Sequence, residues 1–310
     1  MVTPYYIQRG RRLFIERYRY LDPNNEAEIM LSGGVDSATV LFAALENGHK
    51  PRCHTFFLAD RISDDLKVAR SMTKRLGVEL NEVPISVDLD SLVQDVARVM
   101  REIEWRFHKG PRPTLIQTCH PFLYVLPQVK SEILITGLGA DELAVTNRQS
   151  AMAMRVDPRC LDRVMRNPLH RGAGDNYREY ERMAGKRGIA LRNFFEGGSI
   201  IKWAWCVSHV DFNAPRQKWA IVAPFKDWWS KGKWYRRNSP FQIGSGLRDL
   251  HDKLLTTEWN EGGRAVSFVY NRMARSICTP DLGKHYETGW DIMGQPCDAV
   301  FQWPTLGSDD

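Results

Sequence analysis

The sequence predicts an α/β protein built on a doubly wound parallel sheet, with a mostly helical region in its carboxyl-terminal half. Over the first 150 residues, short apolar runs typical of buried strands alternate with longer helical stretches at a spacing of roughly 25 residues. Two of the predicted strands end in glycine-containing turns. Because parallel sheets bind ligands at the carboxyl ends of their strands, these two turns mark the expected site.

The element boundaries follow from local start and stop signals. Asp-Pro-Asn-Asn at 22–25 ends the first helix, Ser63 is a good N-cap, and Gly48 and Gly77 end two later helices. The predicted order is a helix over 9–20, a strand over 28–31, a helix over 37–49, a strand over 53–59, a helix over 63–77, a strand over 79–85, helices over 90–107 and 121–130, and a strand followed by a loop over 131–143. We predict one domain over 1–150 and a second, Trp- and Arg-rich region over 151–310 that completes the substrate site.

The composition is that of an ordinary globular protein. The 310 residues are 43% hydrophobic and 26% charged, and no apolar run approaches the roughly 18 to 20 residues that a membrane span needs. The amino-terminal segment lacks the apolar core of a signal peptide, so we expect a cytoplasmic protein without a membrane partner. The six cysteines include no C-x-x-C pair, which argues against a zinc knuckle or a redox pair.

Positive charge is concentrated in the first predicted helix. The net charge is +6, and the arginine-rich segment from Arg9 to Arg19 holds much of the excess. Such a helix is either a solvated basic face or a surface that contacts the phosphates of a nucleic acid. The sequence leaves both interpretations open, and nucleic acid is therefore one candidate partner.

The first glycine-containing turn has the parts of a phosphate-binding loop. In Ser-Gly-Gly-Val-Asp-Ser at 32–37, two glycines let backbone amides approach a ligand, and two serine hydroxyls can donate to phosphate oxygens. The following helix directs its positive end at the same place. The turn lacks the spacing and the lysine of a Walker A loop. It carries instead the carboxylate of Asp36, which fits beside a phosphate if a cation such as Mg²⁺ bridges the two.

The turn at 32–37 resembles the signature of the N-type ATP pyrophosphatases, the PP-loop superfamily. Three further stretches resemble the synthetase domain of asparagine synthetase and of β-lactam synthetase. They are residues 56–85, Ile-Thr-Gly-Leu-Gly-Ala-Asp-Glu-Leu at 135–143, and Ile-Val-Ala-Pro-Phe-Lys-Asp-Trp-Trp at 221–229. The resemblance implies the fold of the adenine nucleotide alpha hydrolases, with ATP and Mg²⁺ as cofactors.

The resemblance also implies roles for individual residues. Leu58, at the end of the second strand, corresponds to a backbone contact with adenine, and Gly137 to a position near the nucleotide. Asp36 and Asp141 correspond to the carboxylates that hold Mg²⁺ on the pyrophosphate. From the residues alone, Asp141 and Glu142 could instead cap a helix. The residues implied to bind the phosphates of ATP are Ser32, Gly33, Gly34, Asp36 and Ser37.

A general base and a catalytic lysine are implied as well. An ammonium ion must lose a proton before it attacks an acyl-adenylate, and Glu104 is the nearest match to the family's glutamate, with Glu102 as its rival. The alternative is that Glu104 is a solvated carboxylate on a helix face. Lys253, in Asp-Lys-Leu-Leu at 252–255, is the candidate for the family's lysine, and the alternative is a surface lysine.

Together these features predict an ATP-dependent carbon–nitrogen ligase of asparagine-synthetase type that forms AMP and pyrophosphate. A small carboxylate would be adenylated and then attacked by ammonia or an amine. Because few residues precede the first strand, we expect no glutaminase domain, and a separate glutaminase subunit is a candidate source of ammonia. One alternative is a PP-loop enzyme that modifies a base in tRNA or DNA. A second alternative is a non-catalytic nucleotide-binding module.

Overall fold

A sheet of five parallel strands forms the centre of the protein, seen here in a computed structural model. The structure describes residues 2–103, 113–144, 146, 177–232, 234–235, 244–253, 269–270 and 273. The strands lie in the order β3-β2-β1-β4-β5, and every neighbouring pair is parallel. They are β1 (Glu28–Met30), β2 (Cys53–Leu58), β3 (Leu80–Ile85), β4 (Ile133–Thr136) and β5 (Ala190–Asn193). The predicted α/β fold with a doubly wound parallel sheet is confirmed.

Helices precede, connect and follow the strands. Those of the first half are α1 (Pro4–Leu21), α2 (Val35–Glu46), α3 (Asp64–Leu76), α4 (Leu89–Glu102), α5 (Pro113–Val125) and α6 (Ala140–Ala144). Those of the second half are α7 (Tyr177–Gly185), α8 (Gly198–Trp205), α9 (His209–Phe212), α10 (Trp219–Val222), α11 (Lys226–Trp229) and α12 (Leu247–Lys253). Short 3-10 helices cover Leu126–Gln128, Phe194–Glu196 and Ala223–Phe225. None of the helices in the described part of the chain is both long and apolar enough to span a membrane.

The two local signals that bound α3 act as predicted. The Ser63 hydroxyl accepts a hydrogen bond from the Leu66 amide at 3.2 Å, which satisfies one of the free donors at the start of the helix. Gly77 ends the helix with a φ of 65°, a left-handed conformation that favours glycine. The predicted and observed helices therefore agree at both ends.

Several elements differ from the sequence prediction, among them α1, which begins at Pro4 and not at residue 9. The helix predicted to begin at Pro121 is α5, which already runs from Pro113 and contains Pro121 in its interior. Its buried side chains, among them Ile116 and Phe122, stabilise the helix although Pro121 donates no backbone hydrogen bond. The segment Ala190–Asn193 was not expected to be a strand, but it pairs with β4 over four residues. The loop predicted to run to residue 143 contains the helix α6, which begins at Ala140.

The arginine-rich helix α1 packs its apolar face on the core. Two of its arginines form hydrogen bonds with residues of the second half of the chain. The Arg11 guanidinium donates to both carboxylate oxygens of Asp227 at 2.9 Å and to Glu46 at 2.6 Å. Arg17 donates to the carbonyls of Asn193 and Phe194, each at 3.0 Å. These two positive charges therefore serve tertiary packing.

The same helix contacts one of the buried tryptophans. The Trp203 ring stacks on Tyr6 with a centroid distance of 4.5 Å, and its indole nitrogen donates to the Tyr6 carbonyl at 3.1 Å. Trp229 and Trp234 are also buried. Core packing therefore accounts for these three tryptophans.

A chain of buried polar groups joins α4, α5 and α12. His120 contacts Asp95 through Nε2 and His251 through Nδ1, each at 3.0 Å. The other ring nitrogen of His251 contacts the Tyr270 hydroxyl. Burial, with a smaller effect of His120, lowers the pKa of His251 well below its ordinary value. His251 is therefore neutral in the folded protein near neutral pH.

We expect the contribution of His251 to the free energy of unfolding to decrease as the pH falls below about 6.5, the ordinary pKa of histidine. The folded-state pKa of His251 is lowered, so below that pH the unfolded chain binds more protons and is favoured. Burial lowers the pKa values of His49 and His54 in the same direction. Thermal unfolding followed from about pH 8 to about pH 5 measures the effect. His251→Asn should weaken the pH dependence, and an unchanged slope would contradict the role of His251.

Candidate active site

The two glycine-containing loops meet at the carboxyl ends of β1 and β4, the neighbouring strands at the centre of the sheet. Ile29 of β1 is in register with Ile135 of β4. A Cβ placed on Gly137 would lie 2.6 Å from the Asp36 carbonyl carbon and 2.7 Å from the Ser37 nitrogen, so the backbones of the two loops are in contact. The chain connections leave these two strands in opposite directions, and such a point is where doubly wound sheets bind their ligands.

The turn after β1 is closed by its own serines. The Ser37 hydroxyl accepts from the Ser32 amide at 3.0 Å and lies 3.1 Å from the Ser32 hydroxyl. Gly33 has a φ of 73° and lies against the backbone of α3, where a Cβ would be 2.9 Å from the Asp65 carbonyl oxygen. Glycine is therefore required at 33 by both its conformation and its surroundings.

The first turn of α2 presents backbone donors toward this loop. Its N-cap is Gly34, which offers no side-chain acceptor to the helix. The first amides of an α-helix have no partner within the helix, and the helix dipole places partial positive charge there. The turn and the helix start therefore have the geometry of an anion-binding arrangement, and the phosphate-binding role of residues 32–37 stays a prediction.

A buried lysine joins the carboxylates of the two loops. Lys218 Nζ lies 2.7 and 2.6 Å from the two carboxylate oxygens of Asp36 and 2.8 Å from Asp141 Oδ1. The Lys218 side chain is 1% exposed, whereas those of Asp36 and Asp141 are 23% and 37% exposed. Asp36 and Asp141 are thus within reach of a single cation, which in this structure is the ammonium group of Lys218. Their assignment to Mg²⁺ stays a prediction.

The three groups influence one another's ionisation. Burial raises the pKa of Asp36 to about 6; the Lys218 charge acts against this rise, and the Asp141 charge adds to it. Burial alone lowers the pKa of Lys218, but the two carboxylates outweigh it and the net shift is upward. Near neutral pH, Lys218 is therefore positively charged and Asp36 is mostly ionised.

The backbone around Lys218 is fixed by hydrogen bonds that involve Asn213, the end of α6 and Tyr235. The Asn213 side chain donates to the Ala144 carbonyl at 2.8 Å and accepts from the Lys218 amide at 2.8 Å. Tyr235 donates to the Gln217 carbonyl at 2.9 Å. Lys218 itself has a φ of 58°, an uncommon conformation for a residue other than glycine. The lysine is thus held in place by its backbone as well as by its ion pairs.

Sequence reasoning missed Lys218. It is 182 residues away from Asp36 along the chain, and it lies just before the stretch 221–229 without a motif of its own. In the sequence it cannot be distinguished from a surface lysine.

The carboxylates of Asp36 and Asp141 fit a magnesium ion whose remaining ligands are phosphate oxygens and water. Among the described residues no group of three or more His, Cys, Asp or Glu side chains could hold a metal. Mg²⁺ is commonly bound by one or two carboxylates together with phosphate oxygens and water. The two aspartates therefore suffice for an ion that arrives with a nucleotide.

One further acidic group lies beside Asp141. Glu142 accepts a hydrogen bond from the Tyr177 hydroxyl at 3.1 Å. Burial, followed by the negative charge of Asp141, raises the pKa of Glu142 to about 7. The side of the site next to β4 is therefore rich in carboxylates.

The other predicted residues lie in different surroundings. Leu58 is buried at the end of β2, and its carbonyl accepts from the Arg61 amide at 3.0 Å. Lys253 is exposed on α12, whereas the lysine that contacts both carboxylates is Lys218. Glu104 lies outside the described residues. The roles assigned to Leu58, Lys253 and Glu104 stay predictions.

The rival base, Glu102, is engaged in an ion pair at the end of α4. Arg187 donates to both of its carboxylate oxygens. This hydrogen bonding lowers the pKa of Glu102, which makes the carboxylate a weaker base.

The chain is similar to known proteins. Residues 21–276 match the family described as asparagine synthase. Two 7-cyano-7-deazaguanine synthases, from Leptospira interrogans serogroup Icterohaemorrhagiae serovar copenhageni (strain Fiocruz L1-130) and serovar Lai (strain 56601), are each 36% identical over 55 residues. That match covers 18% of this chain and 23% of either relative, so the chain spans under a quarter of their length.

A solved structure is also similar. It is the crystal structure of a predicted subunit of tRNA methyltransferase from Methanocaldococcus jannaschii. The similarity has a TM-score of 0.33 and 16% sequence identity, and covers 69% of this chain and 93% of that chain. Because the family match extends over most of this chain, the protein belongs to the asparagine synthase family.

Proposed function

We propose that this protein is an AMP- and pyrophosphate-forming carbon–nitrogen ligase that adenylates a carboxylate for attack by ammonia or an amine. The observation that supports the proposal is the convergence of Asp36 and Asp141 on one cation beside the turn at 32–37. ATP and Mg²⁺ are the proposed cofactors. In the first step the substrate carboxylate attacks the α-phosphorus, and pyrophosphate leaves. In the second step the amine attacks the acyl-adenylate, and AMP leaves.

Different residues of the site have different proposed roles in the first step. The backbone amides of the turn and of the start of α2 would bind the phosphates, with the hydroxyls of Ser32 and Ser37 beside them. Asp36 and Asp141 would hold Mg²⁺. When bound, the ion neutralises negative charge that develops on the departing pyrophosphate. No protein nucleophile is needed for this chemistry.

The second step needs a base that removes a proton from the attacking amine. Glu104 is the proposed group, because Glu102 is occupied by Arg187. A separate glutaminase subunit is a proposed partner that would supply ammonia.

A nucleic acid is a weaker candidate for the substrate. Of the arginines on α1, Arg11 and Arg17 are used in tertiary contacts, and Arg12 lies 3.5 Å from Glu16. A protein that binds nucleic acid through its phosphates loses affinity steeply as salt is raised. Measurement of tRNA and DNA binding at two salt concentrations would test this alternative.

The reaction can be tested by following both products. Pyrophosphate and AMP are measured after incubation with Mg-ATP and a panel of amino acids, other carboxylates, tRNA and DNA, with and without ammonium. A carboxylate labelled with ¹⁸O should transfer one ¹⁸O atom to AMP, because its oxygen bonds to the α-phosphorus. Formation of ADP and phosphate, or pyrophosphate release with nucleic acid alone, would contradict the proposal.

A further inference from the structure

All three hydrogens of the Lys218 ammonium group are used in contacts with carboxylate oxygens, so none is left for a ligand. Its three short contacts, of 2.7, 2.6 and 2.8 Å, go to Asp36 Oδ1, Asp36 Oδ2 and Asp141 Oδ1. A lysine ammonium has three donors. Lys218 can therefore donate to a phosphate oxygen only if it gives up at least one of these carboxylate oxygens.

The same oxygens are those that would bind a metal. A divalent cation on Asp36 and Asp141 would lie close to the Lys218 ammonium, and the two positive charges would repel each other. Because Lys218 is almost completely buried, solvent screens this repulsion poorly. When the ammonium group and the metal both contact the two carboxylates, each therefore lowers the affinity of the carboxylates for the other.

Charge balance favours an exchange of partners when a nucleotide arrives. One ammonium and two carboxylates sum to a charge of about −1, which opposes the approach of a triphosphate. Transfer of Lys218 to a phosphate oxygen would free the carboxylates for the metal and place positive charge on the nucleotide. The contacts of Asn213 and Tyr235 fix the backbone near Lys218, so the exchange needs only rotation of the lysine side chain.

We propose that Lys218 is an internal competitor of the metal, occupying the two carboxylates in the nucleotide-free protein and turning to a phosphate oxygen when Mg-ATP binds. The inference rests on the proposed function, which assigns Asp36 and Asp141 to the metal. It makes metal binding dependent on the nucleotide, because the free protein holds its own cation in the site.

The test measures binding of Mn²⁺ to the full chain without nucleotide, from the electron paramagnetic resonance signal of free Mn²⁺. Lys218→Met and Lys218→Gln remove the competing charge and should bind Mn²⁺ about tenfold or more tightly than the natural protein. Lys218→Arg keeps the charge and should bind about as weakly as the natural protein. Lys202→Met, which removes an exposed lysine on α8, is the matched control and should leave the affinity unchanged.

Equal or weaker Mn²⁺ binding by the two neutral variants would overturn the proposal. Circular dichroism and thermal unfolding establish that each variant is folded. Lys218→Gln is included because its amide can still donate a hydrogen bond to a carboxylate. A measurement on the natural protein avoids the risk of misfolding. Reductive methylation read by mass spectrometry should modify Lys218 slowly without metal and faster at saturating Mn²⁺, and an unchanged rate would also overturn the proposal.

The outcomes separate this inference from the proposed function. If AMP and pyrophosphate form but Mn²⁺ affinity does not respond to the Lys218 variants, the ligase proposal stands and the competition is wrong. If the neutral variants bind Mn²⁺ tightly but no carboxylate supports pyrophosphate release, the competition stands and the ligase proposal is wrong. Absence of Mn²⁺ binding in all variants would overturn the competition and the metal assignment together.

Discussion

Replacement of Asp36 by asparagine should lower the rate of pyrophosphate release by about 10³-fold or more. Asp36 is one of the two carboxylates that converge on a single cation. The amide of asparagine is neutral, so the variant would bind a metal poorly and leave the negative charge of the pyrophosphate uncompensated. Release is measured with Mg-ATP and whichever substrate supports it. Asp64→Asn, on the exposed start of α3, is the matched control and should be fully active. If Asp36→Asn stays within tenfold of the natural protein, the assignment of Asp36 is wrong.

The loss of activity in this variant must be separated from a loss of folding. Asp36→Asn leaves the buried Lys218 with a single carboxylate partner, and breaking a buried ion pair can cost up to about 3–5 kcal/mol. The double variant with Lys218→Met removes both charges and should recover much of that stability while staying inactive. Chemical denaturation of the two single variants and the double variant measures the coupling. A fully additive result would contradict an ion pair between Asp36 and Lys218.

Substitution of alanine at Gly137 should impair both stability and activity. The new Cβ would lie 2.6 to 2.9 Å from backbone atoms of Asp36 and Ser37, which cannot move without separating the two loops. We expect a destabilisation of about 1–3 kcal/mol. We also expect a fall in pyrophosphate release of about 10²-fold, since small displacements of catalytic groups have effects of that size.

Gly198→Ala provides the comparison for this substitution. Gly198 is exposed at the start of α8, and a Cβ there would meet no atom within 4 Å. That variant should match the natural protein in unfolding free energy and in activity. Normal activity of Gly137→Ala would show that the two loops do not need their close contact.

The features that the sequence predicts well are those encoded by neighbouring residues. Ser63 and Gly77 bound α3 because a hydroxyl three residues from an amide and a left-handed glycine act locally. The turn at 32–37 combines in six residues two glycines, two hydroxyls and a carboxylate. Alternating strands and helices likewise appear as periodic patterns along the chain, so the fold class followed from them.

The features that the sequence did not predict depend on partners distant along the chain. The strand β5 has only four residues, too few for a clear alternation, and it is a strand because β4 offers it a hydrogen-bonding edge. Pro121 is a strong local signal for a helix start, yet burial of α5 outweighs it.

The sequence by itself determined that this protein has a parallel α/β sheet with a glycine-containing turn after its first strand, and that Asp36 and Asp141 follow neighbouring strands. Only the tertiary structure decided which cation lies between them. Lys218 has no local signature because its role comes from two carboxylates far away in sequence, brought within 2.8 Å of its ammonium by the folded chain. Periodicity and capping are short-range effects, whereas the pairing of a buried charge is settled only when the whole chain is packed.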